Sequence, residues 1–450
     1  MRLAITPQEN RTLVSSSLRM SHQMLMDLAG ASELPLSGEA LWNLDLVIPT
    51  LGRMSRGDMS LTATSDLEGM ALRLPFSLAK PAGSKRPVKV IWRPGEPQYI
   101  DIDYSGVKLS TSDNGRYLAG SIDIPEMQGR VRYPLAADAT LQLDLERLAV
   151  NFELGEEAGA VSTLRPFDIP AMSITARQFL INGGDFGRMR MTSRHTPRGH
   201  EITELATKGT LASFVATGIW KSRGGSSIDG ILKSDQLGES LRKLAVTNQL
   251  TEAKGNIEVS LAWDGGLLDF SLQEANGVIH VSTDEGRIAS ADPGFGRILG
   301  LVNVSALKRR IKLDFSDFSN EGFVFDDMNG TLNLADGVAS TDNLTIKAPS
   351  ADIFISGEID LGTRKVNQMI RVVPDLHGAL PLAATAAGGP VAGAAALVIG
   401  KIAGKQLDRI AEMRYSVTGT WEEPVIERIS QPNVTEDPDD DQDDPLSDFQ

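Results

Sequence analysis

The chain has 450 residues with 43 glycines, 22 prolines and only 5% aromatic residues, a balance that suits many short strands joined by turns and argues against a helical bundle. It contains no cysteine, which excludes disulfides, thiolate metal sites and cysteine nucleophiles. A formal net charge of −15 disfavours nucleic acid as a partner, because phosphate binding relies on clustered Lys and Arg.

From the N-terminus, Met1 to Gly30 carries no apolar run resembling a signal sequence or anchor, since Arg11 and Arg19 interrupt it. Ser105-Gly106 sits between two apolar-alternating runs, where a hairpin needs residues tolerant of positive φ. Leu141, Leu143 and Leu145 alternate with Gln142, Asp144 and Glu146, the period of two that puts one oily and one wet face on a strand. Gln236 to Leu250 reads as a helix, with Leu237, Leu241 and Leu244 on one side. Asn256 to Asp264 is a strand whose oily face is Ile257, Val259, Leu261 and Trp263, and Asp264-Gly265-Gly266 reads as the turn after it.

Gly294 to Leu307 reads as a second helix, followed by a strand with Ile311, Leu313 and Phe315 opposite Lys312, Asp314 and Ser316. Asn329-Gly330 and Asp336-Gly337 are further turn signals. Ala351 to Leu361 alternates through Ile353, Ile355, Ile359 and Leu361, with a slip in phase expected near Gly357. Val391 to Glu412 follows Pro390, a favoured helix start, and Met413 to Trp421 alternates again through Tyr415 and Val417. From Gln431 to Gln450 the eight carboxylates account for about half of the net charge, and this acidic tail is expected to be disordered. Asp437 to Asp444 lacks the turn glycine and terminal Glu of a calcium loop, so it is read as a solvated tail.

Strands with one wet face belong to antiparallel sheets, because buried parallel strands read as continuous apolar runs. An oily face must be covered by a second sheet, by helices, by curling or by a ligand. On residues alone, a closed sandwich or barrel and an open lipid-bearing groove both remain.

Gly378 to Gly400 is 23 residues without a charge, yet Pro381, Pro390 and Gly393 interrupt it, so it is read as an apolar hairpin or amphipathic helix rather than a spanning helix. Its membrane-contact candidates are Val391, Leu397, Val398, Ile399 and Ile402, with Lys401 and Lys405 at the headgroup level; the competing reading is a helix that caps the sheet edge. Lys308, Arg309, Arg310 and Lys312 form the densest basic cluster and are read as a solvated turn, with anionic headgroups as the alternative partner.

Catalytic signatures are missing. The five histidines are scattered without His-x-x-x-His spacing, and His195 and His200 are a weak metal pair. No Gly-x-Ser-x-Gly elbow occurs, and Gly294-Phe295-Gly296 to Gly300 misses the dinucleotide spacing. An enzyme, a cofactor and a metal are therefore not expected.

Several segments carry a family resemblance: Ser65-Asp66-Leu67-Glu68-Gly69, Arg165-Pro166-Phe167-Asp168-Ile169-Pro170-Ala171, Ala216-Thr217-Gly218-Ile219-Trp220, Asp292-Pro293-Gly294-Phe295-Gly296-Arg297, Gly322-Phe323-Val324-Phe325-Asp326 and Val417-Thr418-Gly419-Thr420-Trp421. In this order they resemble the YhdP family of AsmA-like envelope proteins, over roughly positions 60 to 427 as read from sequence. The resemblance implies an elongated, curled antiparallel β-sheet with a few short helices near the C-terminus, and an apolar inner face along which phospholipid acyl chains slide between inner and outer membranes. It implies an envelope location with an N-terminal inner-membrane anchor that this chain does not display, support of the outer-membrane permeability barrier, and envelope protein partners of unspecified identity.

The expected organisation is a middle β region at 1–165, a β-groove region at 166–430 with a helical segment at 390–412, and the tail at 431–450. The groove-lining candidates are Leu141, Leu143, Leu145, Ile257, Val259, Leu261, Ile311, Leu313, Ile353, Ile355 and Ile359. The alternative function is a structural or assembly factor for outer-membrane biogenesis whose sheet is packed internally.

Overall fold

The computed structural model describes residues 2–8, 11–29, 34–49, 59–96, 98–136, 138–151, 165–167, 169–267, 269–289, 318–319, 322–349, 351–374, 412–421 and 423–429. The chain begins with β1 (Arg2–Gln8), β2 (Arg11–Ser21), α1 (His22–Ala29), β3 (Leu36–Pro49), β4 (Ser60–Ser65) and β5 (Met70–Leu72). β6 (Val88–Arg93), β7 (Tyr99–Tyr104), β8 (Val107–Ser112), β9 (Tyr117–Asp123), β10 (Met127–Pro134) and β11 (Leu141–Val150) follow. Next come β12 (Met172–Ile181), β13 (Gly184–Asp185), β14 (Arg188–Thr196), β15 (Gly199–Lys208), β16 (Ser213–Lys221), β17 (Ser226–Ser234) and α2 (Leu237–Lys243). β18 (Leu250–Thr251), β19 (Gly255–Trp263), β20 (Asn276–Thr283), β21 (Gly286–Ile288), β22 (Phe318–Ser319) and β23 (Gly322–Phe325) lead to the last six strands. These are β24 (Asp327–Ala335), β25 (Val338–Ala348), β26 (Ala351–Asp360), β27 (Lys365–Pro374), β28 (Met413–Thr420) and β29 (Pro424–Ile429).

Twenty-five of these strands form one sheet, and β18, β21, β23 and β22 form a second sheet of four. Each strand of the large sheet pairs with its neighbour in sequence, the ladder stepping over the short strands from β4 to β6, β12 to β14, β17 to β19 and β20 to β24. With β5 and β13 as short additions to β3 and β12, the remaining ladder measures about 105 Å along its contour at about 4.8 Å per strand. Among the described residues β1 pairs only with β2 and β29 only with β28, so the sheet keeps two free edges and does not close into a barrel.

Hairpin chemistry explains this meander. Ser105 and Gly106 take φ of 48° and 86° between Tyr104 and Val107, the mirror-image turn that matches strand twist. A Cβ on Gly106 would lie 2.2 Å from the Asp123 carbonyl oxygen, so glycine is required there twice over. Asp336 and Gly337 make the same turn with φ of 49° and 80°.

Four local expectations are corrected. Asn329-Gly330 is not a turn but part of β24, and its glycine answers to a close crossing: an added Cβ would sit 2.7 Å from Leu344 Cα. The phase slip expected near Gly357 belongs to the facing strand, since β26 pairs with β27 without a break while β25 bulges between Thr341 and Leu344. The helix expected to reach Leu250 stops at Lys243, because Ala245 turns left-handed at φ 57° and the amides of Ala245 and Val246 bond back to Arg242 and Leu241. The sheet is not wholly antiparallel: β11 runs parallel to β12, with Leu141 beside Met172. One helix, α1, lies near the N-terminus, and the helices expected at 294–307 and 391–412 fall outside the described residues.

Apolar side chains gather in three clusters on one face of the large sheet. Met20, Ala40, Trp42, Met70 and Tyr104 form the first, Ile122, Val131, Leu145 and Met189 the second. The third and largest joins Leu232, Ile346, Ile353, Ile370 and Val417 to α2 and to Phe323 and Phe325 of the small sheet.

Candidate functional site

Cross-strand register shows how the oily faces of separate strands become one surface. Residues directly opposite one another in a ladder project to the same side. One such row runs Leu3, Ser16, Leu44, Ala63, Val90, Ile102, Leu109, Gly120 and Val131 through β1 to β10. It continues as Leu143, Ile174, Met191, Leu205, Ala216, Gly230, Val259, Ile279 and Leu332 through β11 to β24. Ser16 is its single polar side chain. Most of the row is half-buried, including Val90, Ile102, Leu143, Ile174, Met191, Leu205, Val259, Ile279 and Leu332.

The next row toward one margin is more deeply buried: Tyr104, Ile122, Leu145, Ala176, Met189 and Leu232 are all closed to solvent. The cause is a set of lids at that strand end. Leu67, Met70 and Leu72 lie over the first cluster, and Lys80 fixes the segment that carries them. Its Nζ donates to the carbonyls of Leu67 at 2.7 Å, Met70 at 2.8 Å and Pro81 at 3.0 Å, while burial pushes the ammonium below the ordinary lysine range. Leu78 packs on the second cluster, and the adjoining Ser77 hydroxyl donates to Glu126 at 2.6 Å, holding that carboxyl below the usual carboxylate range. Further along, Leu237 and Leu241 of α2 and Phe323 and Phe325 of the small sheet cover Leu232, Ile346 and Ile353.

The opposite margin carries lighter cover. Trp263 donates its indole N–H to the Gly266 carbonyl at 2.8 Å and meets the Phe270 ring edge-on at 5.1 Å, and Gly266 lies against the Trp220 ring at the end of β16. Between the margins runs the half-buried apolar row. Among the described residues, strands of the large sheet lie chiefly against their ladder neighbours, and β23 against β25, α2 against β17 and α1 against β2 and β3 are among the covering contacts.

The other face is wet. Arg130 pairs with Asp144 and Arg132 with Asp113, Arg177 reaches Glu146 at 3.1 Å and Arg194 reaches Glu201 at 3.0 Å, all open to solvent at least in part. Such pairs mark a solvated surface rather than a site.

Of the residues singled out from sequence, Leu143 and Val259 lie in the central row, Leu145 and Ile257 in the row toward the lidded margin, and Leu141 and Leu261 toward the other. Ile353 and Ile355 share the face but are 3% and 8% exposed beneath the small sheet, in a stretch filled by the protein's own side chains. Ile359 is half-buried beside them. Ile311, Leu313, Val391, Leu397, Val398, Ile399, Lys401, Ile402 and Lys405 lie outside the described residues, as do the basic cluster at 308–312 and the acidic tail. Ile174, Met191, Leu205, Ile279 and Leu332 belong to the central row without having been singled out. Met189-Arg190-Met191-Thr192 carries the alternation, whereas Val278-Ile279-His280-Val281 blurs it. Among the described residues no three metal-ligating side chains converge, and no helix is long and apolar enough to cross a membrane.

The family described as YhdP protein matches residues 93–426, well over half of the chain. The intermembrane phospholipid transporter YhdP of Escherichia coli K12 is 29% identical over 255 residues, which is 55% of this chain and 20% of that relative. The match thus spans about a fifth of the relative's length. No solved structure matches.

Proposed function

We propose, from the premise that this chain belongs to the YhdP protein family, that it carries phospholipid acyl chains along the apolar trough between the inner and outer membranes, as a non-enzymatic conduit or part of one. The observation that carries this reading is the central row, apolar from β1 to β24 except at Ser16 and left mostly half-buried between two covered margins. A side-chain-filled sandwich would bury that row completely.

The energetics are adequate. A fourteen-carbon acyl stretch moved from water to an apolar surface gains about 10 kcal/mol at about 0.8 kcal/mol per methylene. Nondirectional burial of this kind holds a chain without fixing its position, so sliding costs little as long as each strand step offers the same surface. The acyl chain is the partner bound in the trough, and membrane contact at Val391 to Lys405 and a role in the outer-membrane permeability barrier complete the proposal. Regions 1–165 and 166–430 would act as consecutive lengths of one conduit, since β11 and β12 join them in a single sheet.

The test is lipid extraction and native mass spectrometry of the purified chain. Co-purifying phospholipid is expected. Protein free of lipid, which also takes none up from vesicles, would favour the scaffold reading, for which the filled stretch at Ile353 and Ile355 is the supporting observation.

A further inference from the structure

On the wet face, at the lidded margin, one ladder row carries Arg188 of β14, Lys208 of β15 and Lys233 of β17, with Ser213 of β16 between the lysines. Arg190 stands in the adjoining row, which continues through Ala206 to Val215 and Ile231. All four cations are exposed, and none forms an ion pair among the described residues. Elsewhere on this face arginines are matched by carboxylates, as in Arg130 with Asp144 and Arg177 with Glu146. Val215 and Ile231 are 60% and 39% exposed, so the unmatched charge borders an open apolar pair. Of the carboxylates around this patch, Asp235 pairs with Lys254 and Asp185 accepts from Gln178 and the Gly187 amide. Glu204 and Glu258 flank it, which leaves the cations in excess.

The outer row also has a direction. From Lys233 it runs through the uncharged Asn256, Ser282, Asn329 and Thr345 to Arg371, Arg414 and Ile429, where β29 ends. Arg371 and Arg414 share the carboxylate of Glu412. The acidic tail thus departs from the end of the row that holds the cations. Past Arg428 the sequence has no cation, and Asp439, Asp440, Asp441, Asp443 and Asp444 are its densest carboxylates. Lys233 lies about eight strands from Ile429 and Lys208 about ten, roughly 38 Å and 48 Å at about 4.8 Å per strand. Extended chain of the kind that Pro432, Pro438 and Pro445 favour rises about 3.1 Å per residue, which puts Asp441 and Asp444 about 37 Å and about 47 Å from Ile429.

We propose that the acidic tail docks along this row of its own chain, with Asp439 to Asp444 over Lys233 and Lys208, and that it shields Val215 and Ile231. Charge complementarity and the matching distances from Ile429 together select the tail as the occupant. Attraction between exposed charges extends only about 8 Å at physiological ionic strength, so the docked tail is released by salt. Docking uses the face opposite the oily one and stands whether or not that face carries lipid.

Carbodiimide cross-linking of the full chain, which joins a lysine Nζ to a carboxylate in contact with it, tests this by mass spectrometry of the linked peptides. At about 50 mM salt, where screening is weak, Lys208 and Lys233 are expected to link to residues within 436–448 several-fold more than Lys89 and Lys108 do. Those two lysines are exposed on the same face but lie about 77 Å or more from Ile429, beyond the last carboxylate of an extended tail at about 59 Å. About 0.5 M salt should lower the Lys208 and Lys233 links several-fold, and this arm needs no variant. R188Q/R190Q keeps both reactive lysines and should lower the links likewise. Links spread evenly over the four lysines, or indifferent to salt, overturn the docking. Links of mixed isotope composition, from labelled and unlabelled chains combined, place the tail on a second copy and overturn docking on its own chain. Binding to phosphatidylglycerol vesicles that is lost in R188Q/R190Q, with no tail links, assigns the row to a membrane surface and equally overturns the proposal.

Discussion

Val259→Asp puts one carboxylate in the half-buried apolar row proposed to carry acyl chains, between Gly230 of β17 and Ile279 of β20. Val259 is half-buried and belongs to none of the three packed clusters, so the new side chain keeps water contact when the trough is empty. The cost to folding is then about 1–2 kcal/mol, from strand preference and partial loss of apolar burial. The cost to an acyl chain is larger. One strand step is about 4.8 Å, over which about three methylenes lose their apolar floor, worth roughly 2.4 kcal/mol at about 0.8 kcal/mol each. Stripping water from the carboxylate adds a further penalty on the order of 1 kcal/mol or more, even after relaxation. The sum exceeds about 3 kcal/mol, which is more than roughly a hundredfold in occupancy at about 1.4 kcal/mol per tenfold. Uptake of phospholipid from vesicles, followed by extraction and quantitation, reads this directly. Ala262→Asp is the control, since Ala262 lies on the wet face of the same strand and is exposed. Wild-type uptake by Val259→Asp, or equal loss in both variants, would refute the assignment of this face to acyl chains.

Other consequences concern the covers. Phe325→Ala removes a small-sheet side chain that is 0% exposed and should cost about 3–5 kcal/mol in denaturant unfolding of that region. Lys80→Met removes the donor to the buried Leu67 and Met70 carbonyls and to that of Pro81, so the cover at 66–86 should lose about 1–3 kcal/mol, read as faster amide exchange there with the rest of the sheet unchanged. Ser77→Ala removes the hydroxyl that depresses the Glu126 pKa, so this carboxyl should titrate at a higher pH by NMR. The corresponding wild-type stability is present above the ordinary carboxylate range and lost as pH falls through the depressed value, a step expected to shrink in the variant. Gly106→Val forces a branched residue into φ 86° with a Cβ 2.2 Å from the Asp123 oxygen, and a melting temperature lower by several degrees is the expected result, from about 1–2 kcal/mol or more of strain.

Local alternation was enough to find the strands and their oily sides. Ile257, Val259 and Leu261 alternate with Glu258, Ser260 and Ala262, and the face so defined is the face observed. Turn pairs were legible where φ must be positive, as at Ser105-Gly106, and misleading where glycine served a close crossing, as at Gly330. Sequence alternation does not distinguish these two uses, because both need a missing side chain.

What the sequence determined by itself is the character of each strand: the period of two is set by backbone geometry and needs no partner to be recognised. What only the tertiary structure decided is which oily residues are left uncovered. Val259 and Ile355 look alike in their strands, yet one stays half-buried and the other is closed to solvent within the large cluster that α2 and the small sheet join. That difference depends on ladder register and on where distant segments such as α2 and the small sheet return to pack, contacts that leave no periodic trace in the chain.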